Sequence, residues 1–191
     1  MTGAAATTSR VRPGTHVTPR QLTTALHDHV QIPDGDRFVH LQFRRFAGCP
    51  VCNLHLRTFA HRYDELLAAG VVEIGVFHSP ATELAAHATD LPIPLIPDPD
   101  KHLYREFDVE SSPRGMLDPR AWPMIIRALL RSTIDVLRGR AKAPRLFPDG
   151  GRYGLPADIL LAPDGRVVAA KYGDHIDDHW SVDDVITLAR P

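Results

Sequence analysis

Both cysteines of this chain fall three positions apart, in the stretch RRFAGCPVCNLHLR that runs from Arg44 to Arg57. The hydrophobic period changes across them, and that change constrains the fold more than any other feature. Upstream, after the turn residues PDGD at 33–36, Val39, Leu41 and Phe43 recur at period two, which predicts a strand. Downstream, Cys52, Leu56, Phe59, Tyr63 and Leu66 recur at spacings of four, three, four and three. They trace one face of a helix that Gly70 is suited to cap at its C-terminus. The pair therefore sits where a strand hands over to a helix. On this reading Cys52 points into the core. Cys49 precedes the first turn, with Pro50 suited to the first helical position, so its sulfur is expected at the helix amino end and in a more accessible place.

The rest of the chain continues the alternation. VVEIGVF at 71–77 reads as a buried strand, and SPATELAAHA as a helix with Ser79 as its cap and Pro80 in its first turn. IPLI is a short strand that leads through PDPD into the helix KHLYREFDV. ADILLAPDGRVVAAKYG is a hairpin turned at Pro163, Asp164 and Gly165, and SVDDVITLAR is a closing helix in which Ser181 and Asp184 form a capping box. Such a series argues for an α/β protein, a central sheet flanked by helices, with right-handed crossovers where strands are parallel. Residues 1–20 are expected to be a flexible N-terminal segment, and 21–191 a single domain. Residues 111–153 interrupt the pattern before the final hairpin with a helical insertion, AWPMIIRALLRSTIDVLRGR. Its stripe of Trp122, Ile125, Ile126, Leu129, Leu130, Thr133 and Leu137 is expected to complete the domain's own core, a dimer surface or a lid being the alternatives.

A formal charge of -1 and a pI near 6.8 leave no broad basic field for nucleic acid or an anionic membrane. The N-terminus has no apolar core of the kind a secretory signal needs, and no stretch approaches about 18 uninterrupted apolar residues, so a cytoplasmic protein is expected. In a reducing compartment a lone cysteine pair argues for catalysis, redox sensing or metal rather than structural cement.

A thiolate attacks peroxides and disulfides, and a cysteine at a helix amino end gains from unpaired N–H groups and the positive end of the helix dipole. Arg44 and Arg45 add to that field. Cys49 is thus the expected nucleophile. Cys52, held three residues away, is the expected resolver, because it can attack oxidised Cys49 intramolecularly at high effective concentration. Zinc asks for four ligands, and only His55 and His61 lie nearby. A c-type haem is excluded by Asn53 directly after Cys52. Two inert core cysteines are the plain alternative. Of the histidines, His27, His29, His87 and His102 fall on polar or loop positions and are expected in solvent, whereas His78 and His175 are candidates for a supporting role.

Taken together, LQFRRFAGCPVCNLHLRTFAHRYDEL, VVEIGVF, IPDPDKHLYREFDV and LPADILLAPDGRVVAAKYG resemble, in this order, the blocks of thioredoxin-fold proteins of the alkyl hydroperoxide reductase and thiol-specific antioxidant (AhpC/TSA) superfamily. The match is with the peroxiredoxin-like group that carries Arg-Arg and then Gly-Cys-x-x-Cys, and it spans about residues 36–190. The resemblance implies a thioredoxin-like central mixed sheet, Cys49 as the peroxidatic-like cysteine and Cys52 as its resolving partner. Pro156, before the strand ADILLA, resembles the proline held in cis opposite the CxxC motif, an ordinary trans proline being the alternative. Against the peroxiredoxin pattern Pro-x-x-x-Thr-x-x-Cys, this chain has Gln42 at the proline and Phe46 at the threonine position. The late arginine of that family is also not evident in YGLPAD, which leaves Arg44 or Arg45 to bind an anionic transition state.

The expected function is thiol-dependent reduction of a peroxide or disulfide through Cys49 and Cys52, with Arg44 and Arg45 supporting and Phe46, Pro50 and Pro156 lining the substrate. Regeneration is expected from a thioredoxin-like or low-molecular-weight thiol, without metal or other cofactor, and a homodimer is among the candidate assemblies. The alternatives are a protein thiol-disulfide oxidoreductase and a redox-sensing or partner-binding protein without catalysis.

Overall fold

The computed structural model describes residues 10–88, 91–109, 117–139, 151 and 153–190. A hairpin that the sequence did not announce comes first, β1 (Arg20–Thr23) against β2 (His29–Ile32). The predicted strand follows as β3 (Phe38–Arg44), then α1 (Pro50–His61), α2 (Tyr63–Ala68) and β4 (Val71–Phe77). The next elements are α3 (Ala81–Ala88), β5 (Leu95–Pro97) and α4 (His102–Glu106). A 3-10 turn at Pro119–Ala121 leads into α5 (Trp122–Leu137). The chain ends on the hairpin β6 (Ala157–Leu161) and β7 (Val167–Tyr172) and on α6 (Val182–Leu188).

Five strands form one mixed sheet in the order β5-β4-β3-β6-β7. β3, β4 and β5 run parallel, while β6 and β7 are antiparallel to their neighbours. This is the expected α/β architecture, with β3 at the centre. Apolar groups collect on both sides of it. Val39, Leu41 and Phe43 pack with Ile74, Val76, Ile159 and Leu161 against Leu103, Tyr104 and Phe107 of the α4 region. On the other side Val51, Leu56 and Phe59 of α1, Leu84 of α3 and Val182 and Val185 of α6 meet Phe77 and Leu160. Each such side chain taken fully out of water stabilises the fold by about 1.5–3 kcal/mol.

The periodic helix after the cysteines breaks at Arg62 (φ -113°, ψ 22°), yet its apolar face continues, since Leu66 of α2 is fully buried. The capping box of α6 forms as read: the Ser181 hydroxyl accepts from the Asp184 N–H and the Asp184 carboxylate from the Ser181 N–H.

Three expectations are corrected. Residues 10–19 were expected to fray with the rest of the N-terminus, but Gly14 and Val17 donate to Val167 and Gly165 and Val17 is buried, so this segment lies against the final hairpin; residues 1–9 lie outside the described residues. The stripe of the insertion does not close over the core. Ala128 is buried and Met124 and Ile125 pack on it, while Trp122 is 55%, Leu130 62% and Leu137 82% exposed. The loops of the insertion at 110–116, 140–150 and 152 fall outside the described residues. Ser79, read as a helix cap, is buried and its hydroxyl accepts the Ala47 N–H at 2.9 Å, tying the end of β4 to the loop before the cysteines. Among the described residues no helix is long and apolar enough to cross a membrane.

Candidate active site

β3 ends at Arg44, and α1 begins after five intervening residues. Gly48 makes that turn possible: its φ of +76° suits a residue without a side chain, and a Cβ there would stand 3.3 Å from the His87 ring. Pro50 takes the first helical position, where its missing N–H costs nothing. Cys49 is the N-cap itself. Its sulfur accepts the Cys52 N–H at 3.3 Å, the role a serine or aspartate oxygen ordinarily fills, and it also accepts from Arg45 Nη2 at 3.0 Å. Two N–H donors and a helix amino end thus converge on one sulfur.

Burial corrects the expected ordering of the two thiols. Cys49 is 1% exposed and Cys52 6%, so Cys49 is the less accessible. The reason is the cap geometry, which folds Cys49 back over the first turn beneath Arg45 rather than outward. Both are free thiols and they hydrogen-bond to each other. Against the effect of burial, the bond from Cys49 and the charge of Arg45 bring Cys52 down to about 5. Burial, and then the bond and charge of Cys52, push Cys49 up, with Arg45 opposing. The pair therefore gives up one proton readily and keeps the other, and a single negative charge is shared beneath the guanidinium. The charge of Arg45 lowers the pair for its first proton. The N–H donors favour Cys49 as the atom that carries the charge at the moment of attack.

Arg44 and Arg45, adjacent in sequence, face different partners. Arg45 belongs to the thiol pair. Arg44 reaches into the sheet, where Nη2 donates to Asp158 Oδ1 and to Gln42 Oε1, each at 2.8 Å. Asp158 Oδ1 also stands 3.3 Å from His40 Nε2, and His40 Nδ1 lies 2.8 Å from Glu73 Oε2. His40, Gln42, Arg44, Glu73 and Asp158 are all at most 2% exposed. Sequence reading missed this buried polar cluster. The signal for it was one charged residue set in each of two apolar strands, Glu73 in VVEIGVF and Asp158 in ADILLA.

Each cysteine borders its own cavity of about 10 Å³. Cys49 borders one with Asn53, Leu56, Phe77, Leu84 and His87. Cys52 borders the other with Arg44, Arg45, His55, Pro156 and His179. Pro156 is thus at the site, but its peptide bond is trans; among the described residues Ile32–Pro33 is the cis bond. Its carbonyl accepts the Gly173 N–H at 2.9 Å and so is already paired. Phe46 is buried, and its carbonyl accepts the Cys49 N–H at 3.1 Å, so the threonine position supplies backbone but no hydroxyl. His78 is 1% exposed, and burial, followed by Lys101 and Arg45, pushes it down to about 4. Its N–H donates to the Arg45 carbonyl at 3.1 Å. Gly154 packs over both residues: a Cβ there would come within 3.1 Å of Arg45 Cγ and 3.2 Å of His78 Nε2. His87, expected in solvent, is half-buried beside Cys49. His175 instead accepts the Asp177 N–H at 3.3 Å, and His179, four residues on, is the histidine of that segment that reaches the site.

Residues 21–170 match the model described as AhpC/TSA family. Among solved structures, Peroxidoxin BcpB from Mycobacterium tuberculosis is similar with a TM-score of 0.64 and 15% identity, over 94% of this chain and 97% of that one. Reduced 2-Cys peroxiredoxin from Plasmodium vivax gives 0.62 and 15%, over 94% and 80%. Peroxiredoxin Q from Xanthomonas campestris gives 0.59 and 17%, over 89% of each chain. At these identities the likeness is one of fold. No curated protein matches the chain.

Proposed function

The chain belongs to the AhpC/TSA family and is a thiol-dependent oxidoreductase, and from that premise we propose that it reduces small peroxides through Cys49 and Cys52. The observation that carries this reading is the convergence of Arg45 Nη2 at 3.0 Å and the Cys52 N–H at 3.3 Å on the Cys49 sulfur. On this reading residues 21–191 are a single domain that carries this pair.

The Cys49 thiolate attacks one peroxide oxygen. A sulfur–oxygen bond forms, the O–O bond breaks, and the leaving alkoxide or hydroxide takes a proton from water, so sulfur is oxidised and the peroxide reduced. Arg45 holds negative charge while this occurs, the part that a hydroxyl at position 46 does not fill. Cys52 then displaces hydroxide from the Cys49 sulfenic acid and closes a disulfide, which a thioredoxin-like protein or a low-molecular-weight thiol reduces by exchange. Buried sulfurs and water-sized cavities favour a small oxidant over a protein disulfide, whose backbone would have to reach a pair that is 1% and 6% exposed.

The test is to mix reduced protein anaerobically with hydrogen peroxide, an organic hydroperoxide and a model protein disulfide, and to follow both cysteines by mass spectrometry. Peroxide is expected to convert the pair to a disulfide fastest, Cys49→Ser to abolish oxidation and Cys52→Ser to stop at the sulfenic acid. Reaction with the protein disulfide alone would replace this reading with that of a disulfide oxidoreductase. Oxidation that persists in Cys49→Ser and vanishes in Cys52→Ser would exchange the two roles.

A further inference from the structure

Cys52 and His55 lie three residues apart on α1, one turn apart on the same face. Both border the cavity of about 10 Å³ that Arg44 and His179 also line. Among the described residues, His55 Nε2 and Arg44 Nε are buried polar atoms without a hydrogen-bond partner, and His55 is only 6% exposed. Buried polar atoms are ordinarily satisfied, so an unpaired nitrogen on each of two residues that line one cavity points to a small polar guest. The volume is room for about one water, and Arg44, Arg45, Cys52, His55 and His179 are the polar residues around it.

His55 is also held in place. Its ring lies on that of His179, centroids 3.4 Å apart and tilted by 38°, and against Phe59 at 4.9 Å. The neighbour of His179, Trp180, donates its N–H to Asp158 Oδ2 at 3.0 Å. The groups that face this imidazole are Arg44 and His40 of β3, Asp158 of β6 and His179 of the segment before α6. Burial first, then Arg44 and His179, push His55 well below the usual histidine range and so keep it neutral.

The chemistry supplies the need. At the moment of attack the charge is on Cys49, so the pair's remaining proton is on Cys52 and is still there once Cys49 has become the sulfenic acid. At closure the Cys52 sulfur bonds to the Cys49 sulfur, the S–O bond breaks, and hydroxide departs with the electron pair; the thiol proton must reach that hydroxide to make water. We propose that His55, acting through a water in this cavity, takes the proton from Cys52 and returns it to the departing hydroxide. This inference rests on the function proposed above and assigns a residue to its second step.

Single-turnover mixing with one equivalent of hydrogen peroxide separates the steps, with the sulfenic acid trapped by a dione and the disulfide read by intact mass. His55→Gln is expected to slow closure relative to oxidation by about tenfold to a hundredfold, so that sulfenic acid accumulates, while the exposed His61→Gln changes neither step. Wild-type closure is expected to run slower in heavy water, an arm that holds even if the His55 variant fails to fold. Closure at the wild-type rate in His55→Gln, equal slowing of both steps, or closure indifferent to heavy water would each overturn the proposal. Failure of wild-type Cys49 to oxidise at all would instead remove the function on which it rests.

Discussion

The two faces of β3 are built on opposite principles. One face carries Val39, Leu41 and Phe43 and meets Ile74, Val76, Ile159 and Leu161, an apolar layer that needs nothing but fit. The other carries His40, Gln42 and Arg44, opposite Glu73 and Asp158, and is buried just as deeply. An apolar layer tolerates the loss of a methylene at modest cost, because nothing is left uncompensated. A buried ion cluster contributes little by existing and costs a great deal when one member is removed. Its position ties it to the site: Arg44 ends β3 on that face, next to the Arg45 that holds the thiols, and Asp158 pins the Trp180 segment that carries His179. The polar face is thus the frame of the active site, and the apolar face is the frame of the fold.

Removing Asp158 breaks this contrast most forcefully. Asp158→Ala leaves Arg44 and His40 facing each other without their shared carboxylate, and denaturant unfolding is expected to show a loss of about 3–5 kcal/mol. Asp158→Asn keeps the shape and the acceptor for Trp180 and is expected to lose less. An Asp158→Ala variant as stable as the wild type would mean that the cluster carries no net charge burden.

The pH dependence of stability sharpens the same contrast. Against the cost of burial, Glu73 and Asp158 push His40 up to about 9, above the unfolded value of 6.5. Its contribution is therefore complete below pH 6.5 and lost as pH rises through about 9, a decline on the order of 3 kcal/mol. The thiols titrate in the same range, with Cys52, held near 5, gaining stability as pH rises. The measurement therefore belongs in the Cys49→Ser/Cys52→Ser background, between pH 7 and 9.5. Unfolding free energy that stays flat across that window would show that His40 is neutral in the folded protein.

What the sequence disclosed follows the same division. Val39, Leu41 and Phe43 at period two announced the strand, and Cys52, Leu56 and Phe59 announced the helix face, because apolar periodicity is a local signal. The N-cap role of Cys49 was legible from Pro50 and the helix start. Its burial was not, because this depends on Arg45 folding across it and on His87 arriving from α3. Pairing of His40 with Glu73 and of Gln42 with Asp158 crosses between strands far apart in the chain, so alternation within one strand does not announce it. His179 reaches the site for a similar reason, through a backbone bond to Asp158 that nothing near residue 179 foretells. The exposed stripe of α5 teaches the converse lesson, since apolar periodicity shows that a helix has a face but not what, if anything, covers it.

The smallest expected effect completes the comparison. Ile159 is fully buried next to Asp158 in β6 but points to the apolar side, opposite Leu41. Ile159→Val removes one methylene, leaves no polar atom unsatisfied and is expected to cost about 0.5–1.5 kcal/mol. Because the apolar face frames only the fold, both peroxide oxidation and disulfide closure are expected to keep their wild-type rates. Because Asp158 pins the segment that carries His179 against His55, Asp158→Ala is expected to slow closure as well as to destabilise, so two adjacent residues of one strand separate. If Ile159→Val slows closure too, the two faces are mechanically coupled through β6, and fold and site are not framed separately.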